Sequence, residues 1–120
     1  MRTKFDIKKV NTLYTGGNIY VFLGALQDGT FFMAESSFFD VRIFNEDPSA
    51  VEDDEDGDNP IWYPEWQIDH LVEDLSESEC LDLFVAMLRW IQRNAPEDYC
   101  SDFRHLMQEV KELQGTTGWR

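Results

Sequence analysis

The sequence predicts an α+β fold. An N-terminal antiparallel β-meander of about four strands is followed by three α-helices packed on one face, with an acidic loop between the two halves. Three observations carry this. Residues 1–45 show two-residue apolar alternation broken by tight-turn signals. Residues 61–114 show wide apolar stripes at helical spacing. Between them, residues 46–60 are dominated by acids and carry Pro48, Gly57, Asn59 and Pro60, which predicts a mobile loop. At 120 residues the chain fits one domain, and with 42% hydrophobic residues it has enough apolar material for a core, which excludes global disorder.

The strands follow in order. Phe5 and Ile7 alternate with polar neighbours, and the pattern resumes at Val10. Tyr14-Thr15-Gly16-Gly17-Asn18 is a turn signal before Ile19 to Leu26, a stretch rich in β-branched and aromatic residues. Asp28-Gly29 is the strongest hairpin signal in the chain, and Thr30 to Glu35 forms the partner strand. A fourth strand runs from Phe39 to Phe44 after Ser36-Ser37. Along the second strand Ile19, Val21, Leu23 and Ala25 share one face, and Tyr20, Phe22 and Leu26 share the other. Both faces are apolar, so the helices cover one, and a loop, a tail or a second subunit covers the other. Tyr20 and Phe22 mark a dimer face if that cover is a second copy. Gly24 in mid-strand predicts a bulge or a close backbone approach.

The helices follow the loop. Pro64 suits a first helical turn, and Ile68, Leu71, Val72 and Leu75 then keep i, i+3, i+4, i+7 spacing. Ser76-Glu77-Ser78-Glu79 reads as a capping box opening a second helix, with Leu81, Phe84, Val85, Leu88 and Ile91 widened by Leu83, Met87 and Trp90. Such a stripe predicts a central helix touching more than one layer. Asn94-Ala95-Pro96-Glu97 ends it, and a third helix carries Tyr99, Phe103, Leu106, Met107, Val110 and Leu113 up to Gly115. Residues 115–120 read as a flexible tail.

The formal charge of −14 is regional: residues 46–82 contain fifteen Asp or Glu and no Lys or Arg. Phosphate would be repelled by such a surface, which argues against direct nucleic-acid binding. The longest apolar run, Ile19 to Leu26, is too short for a membrane span, and no secretory signal is visible, so a cytoplasmic location is expected. Cys80 and Cys100 are the only cysteines, too few for a disulfide scaffold, and read as small buried hydrophobes.

Motifs for chemistry are weak. Gly57 aligned with the invariant glycine of a calcium loop puts Glu52, Asp54 and Asp56 at positions one, three and five, but Tyr63 stands where a bidentate Glu is needed. His70 and His105 have no His or Cys at ligand spacing on their helices, so His70 reads as exposed and His105 as half-buried. No nucleophile elbow, P-loop or dinucleotide fingerprint is present. No enzyme, metal or cofactor is expected. The remaining alternative is a ligand-binding domain or small enzyme with a pocket between sheet and helices, using His70, Cys80 or His105.

The expected role is a non-catalytic interaction module. Its acidic segment meets a basic protein partner, in the strictest form a nucleic-acid-binding protein whose ligand the carboxylates mimic. Candidate residues are Asp53, Asp54 and Asp56 in the loop, and Glu65, Asp69, Glu73 and Glu77 along the first helix and beyond. Trp62, Tyr63 and Trp66 are candidate anchors, weighed against a plain packing role between helix and sheet.

Overall fold

A computed structural model of the chain describes residues 5–16, 19–48 and 64–116. The dense acidic run with Asp53, Asp54 and Asp56, the rings of Trp62 and Tyr63, and the tail beyond residue 116 lie outside the described residues. The described chain forms β1 (Ile7–Gly16), β2 (Ile19–Leu26), β3 (Phe31–Glu35), β4 (Asp40–Phe44), α1 (Pro64–His70), β5 (Leu71–Asp74), α2 (Glu77–Asn94), a 3-10 turn (Pro96–Asp98) and α3 (Ser101–Thr116). The α+β class is as expected: a five-stranded antiparallel sheet in the order β1-β2-β3-β4-β5, its first four strands an N-terminal meander, joined by three helices.

Local chemistry accounts for the turns. Between β2 and β3, Gly29 adopts φ +93°, and the Asp28 carboxylate accepts the Thr30 amide at 2.9 Å. Between β3 and β4, the buried Ser36 hydroxyl accepts the Tyr20 amide at 2.9 Å while its own amide donates to the Tyr20 carbonyl. Phe39 ends that turn at φ +51°, an uncommon conformation for an aromatic residue. Its ring packs edge-on against Phe84 at 5.1 Å, which holds it there.

Direct cross-strand pairing sorts the sheet into two faces. Phe22 pairs with Ala34 and Ala34 with Val41; Gly24 pairs with Phe32 and Phe32 with Ile43. These residues meet α2 and α3 in one continuous core with Leu83, Phe84, Met87, Leu88, Phe103 and Val110. Phe22 is fully buried, with ring centroids 6.1 Å from Phe84 and 5.4 Å from Phe103. Tyr20 packs at 5.2 Å on Phe103 and donates its phenol hydrogen to the Asp102 carboxylate at 2.6 Å. Tyr20 and Phe22 are therefore the inner, helix-covered face, and the expectation that they form a dimer face is corrected.

The opposite face carries Val21, Leu23, Met33 and Phe44, also buried. Trp66 of α1 packs on it, its ring 5.1 Å from that of Phe44. So α2 and α3 take one face, and α1 lies against the other. The chain leaving β4 also crosses this second face, because Asp47 reaches Lys9 of β1 at 3.4 Å and Pro48 is buried.

The helix expected to continue to Leu75 stops at His70, and residues 71–74 become a fifth strand on β4. The His70 carbonyl is taken at 2.9 Å by the amide of Asn45, at the end of β4. The β4 edge then offers a ladder that suits β-branched Val72 better than another helical turn. The helical spacing of Ile68, Leu71, Val72 and Leu75 was not a buried stripe: Leu75 joins the main core, whereas Ile68 and Val72 face solvent.

Candidate interaction surface

The corner where α1 meets β5 gathers the described part of the acidic segment. Trp66 anchors α1 by packing between the Phe44 ring and His70, the latter at 4.8 Å. His70 is half-buried, with Nδ1 3.1 Å from Asn45 Oδ1. Arg42 ties the corner together. It donates to the Gln67 side-chain carbonyl of α1, and its guanidinium lies 3.7 Å from Asp40 and 3.8 Å from Asp74 of β5. These ion pairs are solvent-exposed and worth roughly 0–1 kcal/mol each. Burial of Trp66 on Phe44 is thus the larger contribution to docking α1.

With Trp66 turned inward, other apolar side chains face outward. Ile68 is 74% exposed and Val72 52% exposed. Ile68 and Leu71 border one shallow groove with Gln67, Arg42 and Asp74. Around them Glu65 and Asp69 are exposed on α1, and Asp74 is exposed on β5. An apolar centre with a carboxylate rim is the layout of a recognition patch.

The expected acids do not share one helix. Glu65 and Asp69 lie one turn apart on α1, Glu73 lies on β5, and Glu77 opens α2. Glu77 and Glu79 have structural roles in the first turn of α2, where acids complement the helix dipole. The capping box is complete: the Ser76 hydroxyl accepts the Glu79 amide at 3.3 Å, and the Glu79 carboxylate accepts the Ser76 amide at 3.2 Å. Glu65 likewise stands in the first turn of α1, which leaves the exposed Asp69 on that helix with no such local duty. The exposure of Ile68 and Val72 is not what their sequence spacing predicts. The signal was available in the short, acid-flanked stretch, but its helical spacing pointed to a core.

The residues proposed for a pocket chemistry do not converge. Cys80 is buried, its thiol directed at the carbonyls of Leu75 at 3.7 Å and Val41 at 3.9 Å. Burial pushes its pKa up to about 11, which disfavours the reactive thiolate. Cys100 is exposed, so the expectation that both cysteines are buried holds only for Cys80. His105 is exposed on α3 and His70 half-buried, the reverse of the sequence reading. The half-buried state of His70 follows from its tilted contact with the Trp66 ring. Among the described residues no group of three or more His, Cys, Asp or Glu is placed to hold a metal ion, and no helix is long and apolar enough to cross a membrane.

Comparison with known protein families, curated proteins and solved structures finds no match.

Proposed function

We propose that the chain is a non-catalytic interaction module that binds a basic protein partner through the α1–β5 corner. The observation that carries this reading is the exposure of Ile68 and Val72 within the same short segment as the exposed carboxylates of Glu65 and Asp69. Charge steers encounter and sets specificity, while a desolvated apolar centre supplies affinity. The wider segment from residue 46 to 82, with fifteen acids and no Lys or Arg, extends the field that draws a basic partner in. In the stricter form of the proposal the partner is a nucleic-acid-binding protein, and the carboxylates occupy the surface its phosphates would take.

The test is capture from extract of the source cells at low and high salt. It uses the wild type, an Ile68→Ser/Val72→Ser variant and a Glu65→Gln/Asp69→Asn variant. The proposal predicts one basic partner that both variants lose and that high salt weakens. Displacement of the chain by that partner's own nucleic acid supports the stricter form. A partner retained by both variants places the interface elsewhere and overturns the reading.

A further inference from the structure

A second hollow lies on the other side of the molecule and has a different chemistry. It is an open cleft of about 600 Å³ between the start of β1, the β2–β3 turn, the outer flank of α2 and the end of α3. That is within the size range of small-molecule sites, roughly 300–1,000 Å³. Its apolar wall is Ile7, Val85 and Ala86, with the half-buried Trp90 beside them. Its cationic wall is Arg89 and Arg93, one helical turn apart on α2.

The protein has 24 acidic residues against ten Lys and Arg. Among the described residues neither Arg89 nor Arg93 forms an ion pair; the same is true of Lys8, Arg104 and Lys111, but Arg89 and Arg93 line one cleft together. Like charges at i, i+4 repel each other on a helix. Arg93 gains from the negative end of the α2 dipole, but Arg89 lies further in. Two acids, Asp82 and Asp6, line the same cleft, and neither is ion-paired to the arginines. Asp82 sits seven residues before Arg89, about 10 Å along the helix axis. Its carboxylate already accepts the Gln114 amide at 2.9 Å. Asp6 lines the cleft from the β1 side.

We propose that this cleft binds a small organic anion. The two guanidiniums hold a phosphate or carboxylate group, for which their forked donors are suited, and a planar apolar body lies against Trp90. The site is independent of the α1–β5 corner.

The test is a chemical-shift titration of the isotope-labelled full chain with phenyl phosphate, phenylacetate, inorganic phosphate and benzyl alcohol. The signals read are the Trp90 indole and the Arg89 and Arg93 side-chain N–H groups. The proposal predicts saturable shifts confined to this cleft with at least one aromatic anion. The tighter of the two identifies phosphate or carboxylate as the preferred group. Arg89→Gln/Arg93→Gln weakens that binding about tenfold or more, since a hydrogen bond to a charged group is being lost. Trp90→Leu weakens it separately while inorganic phosphate binding is unchanged. Both arginines are exposed, and the variant's own spectrum reports whether the fold is intact. Shifts scattered over the surface, or unchanged in the arginine variant, overturn the proposal. So does equal binding of inorganic phosphate, which would leave a bare charge contact, or of benzyl alcohol, which would leave an apolar one.

Discussion

Gly24 offers the sharpest test of the sheet's packing. A Cβ at this position would lie 2.4 Å from the Lys9 carbonyl oxygen and 2.4 Å from Cζ of Phe32. Real Cβ atoms do not approach heavy atoms closer than 3.0 Å, so something must move. The Lys9 carbonyl belongs to the β1 backbone, next to the register shift between Ile7 and Lys9. The Phe32 ring is fully buried in the main core and has no free direction to swing. Overpacking of this kind costs about 1–3 kcal/mol. Replacing glycine in a strand returns only about 0.5–1 kcal/mol of backbone entropy. The clash wins, and Gly24→Ala is expected to lose about 1–2 kcal/mol and to lower the melting temperature by roughly 4–8 °C. Thermal and urea unfolding followed by circular dichroism measure it. Gly115→Ala is the control, because no atom lies within 4 Å of a Cβ there and alanine favours a helix. A Gly24→Ala variant as stable as the wild type would refute the close packing of β1, β2 and Phe32.

Four further outcomes follow from the core, the corner and the two cysteines. Tyr20→Phe removes the donor to Asp102 and is expected to cost about 1–2 kcal/mol in urea unfolding, a charge-assisted bond in a part-buried setting. Trp66→Ala strips α1 from Phe44 and is expected to cost about 2–3 kcal/mol, with hydrogen exchange rising first in α1 and β5. The cysteines are expected to separate under a thiol reagent, Cys100 reacting at once and Cys80 only when the native structure opens. Cys80 also makes stability depend on pH. Its folded pKa is raised to about 11 from 9.0, so the folded state keeps a proton the unfolded state gives up. That stability is complete below pH 9 and is lost as pH rises towards 11, by of order 2 kcal/mol. A Cys80→Ala variant should lack this step in a pH series of unfolding curves.

The elements with two agreeing signals were legible in the sequence. Asp28-Gly29 combined a hairpin dipeptide with alternating flanks, and Ser76 to Glu79 combined a capping box with a wide apolar stripe. Phe84, Leu88, Phe103 and Val110 sit in the core as their spacing requires. The mid-strand glycine predicts a bulge or a close backbone approach; the Lys9 carbonyl makes the approach, and the Phe32 ring beside it is not visible in the sequence. What failed was decided by partners distant in sequence. Ile68 to Leu75 fits a helix locally, but Asn45 and the free ladder of β4 claim its second half. The two apolar faces of β2 were evident, yet their assignment depends on Phe84 and Phe103, which arrive some 60 residues or more later. Of the candidate surface, Glu65 and Asp69 were named from charge. Their apolar centre was missed because exposure is a tertiary property.

The α1–β5 corner is the proposed binding surface. Hydrogen–deuterium exchange of the chain, alone and with the captured basic partner, tests it most directly. Binding at this corner gives new protection across residues 64–77, lost in the Ile68→Ser/Val72→Ser variant. Protection confined to α2 and α3, with the corner exchanging as in the free chain, would contradict it.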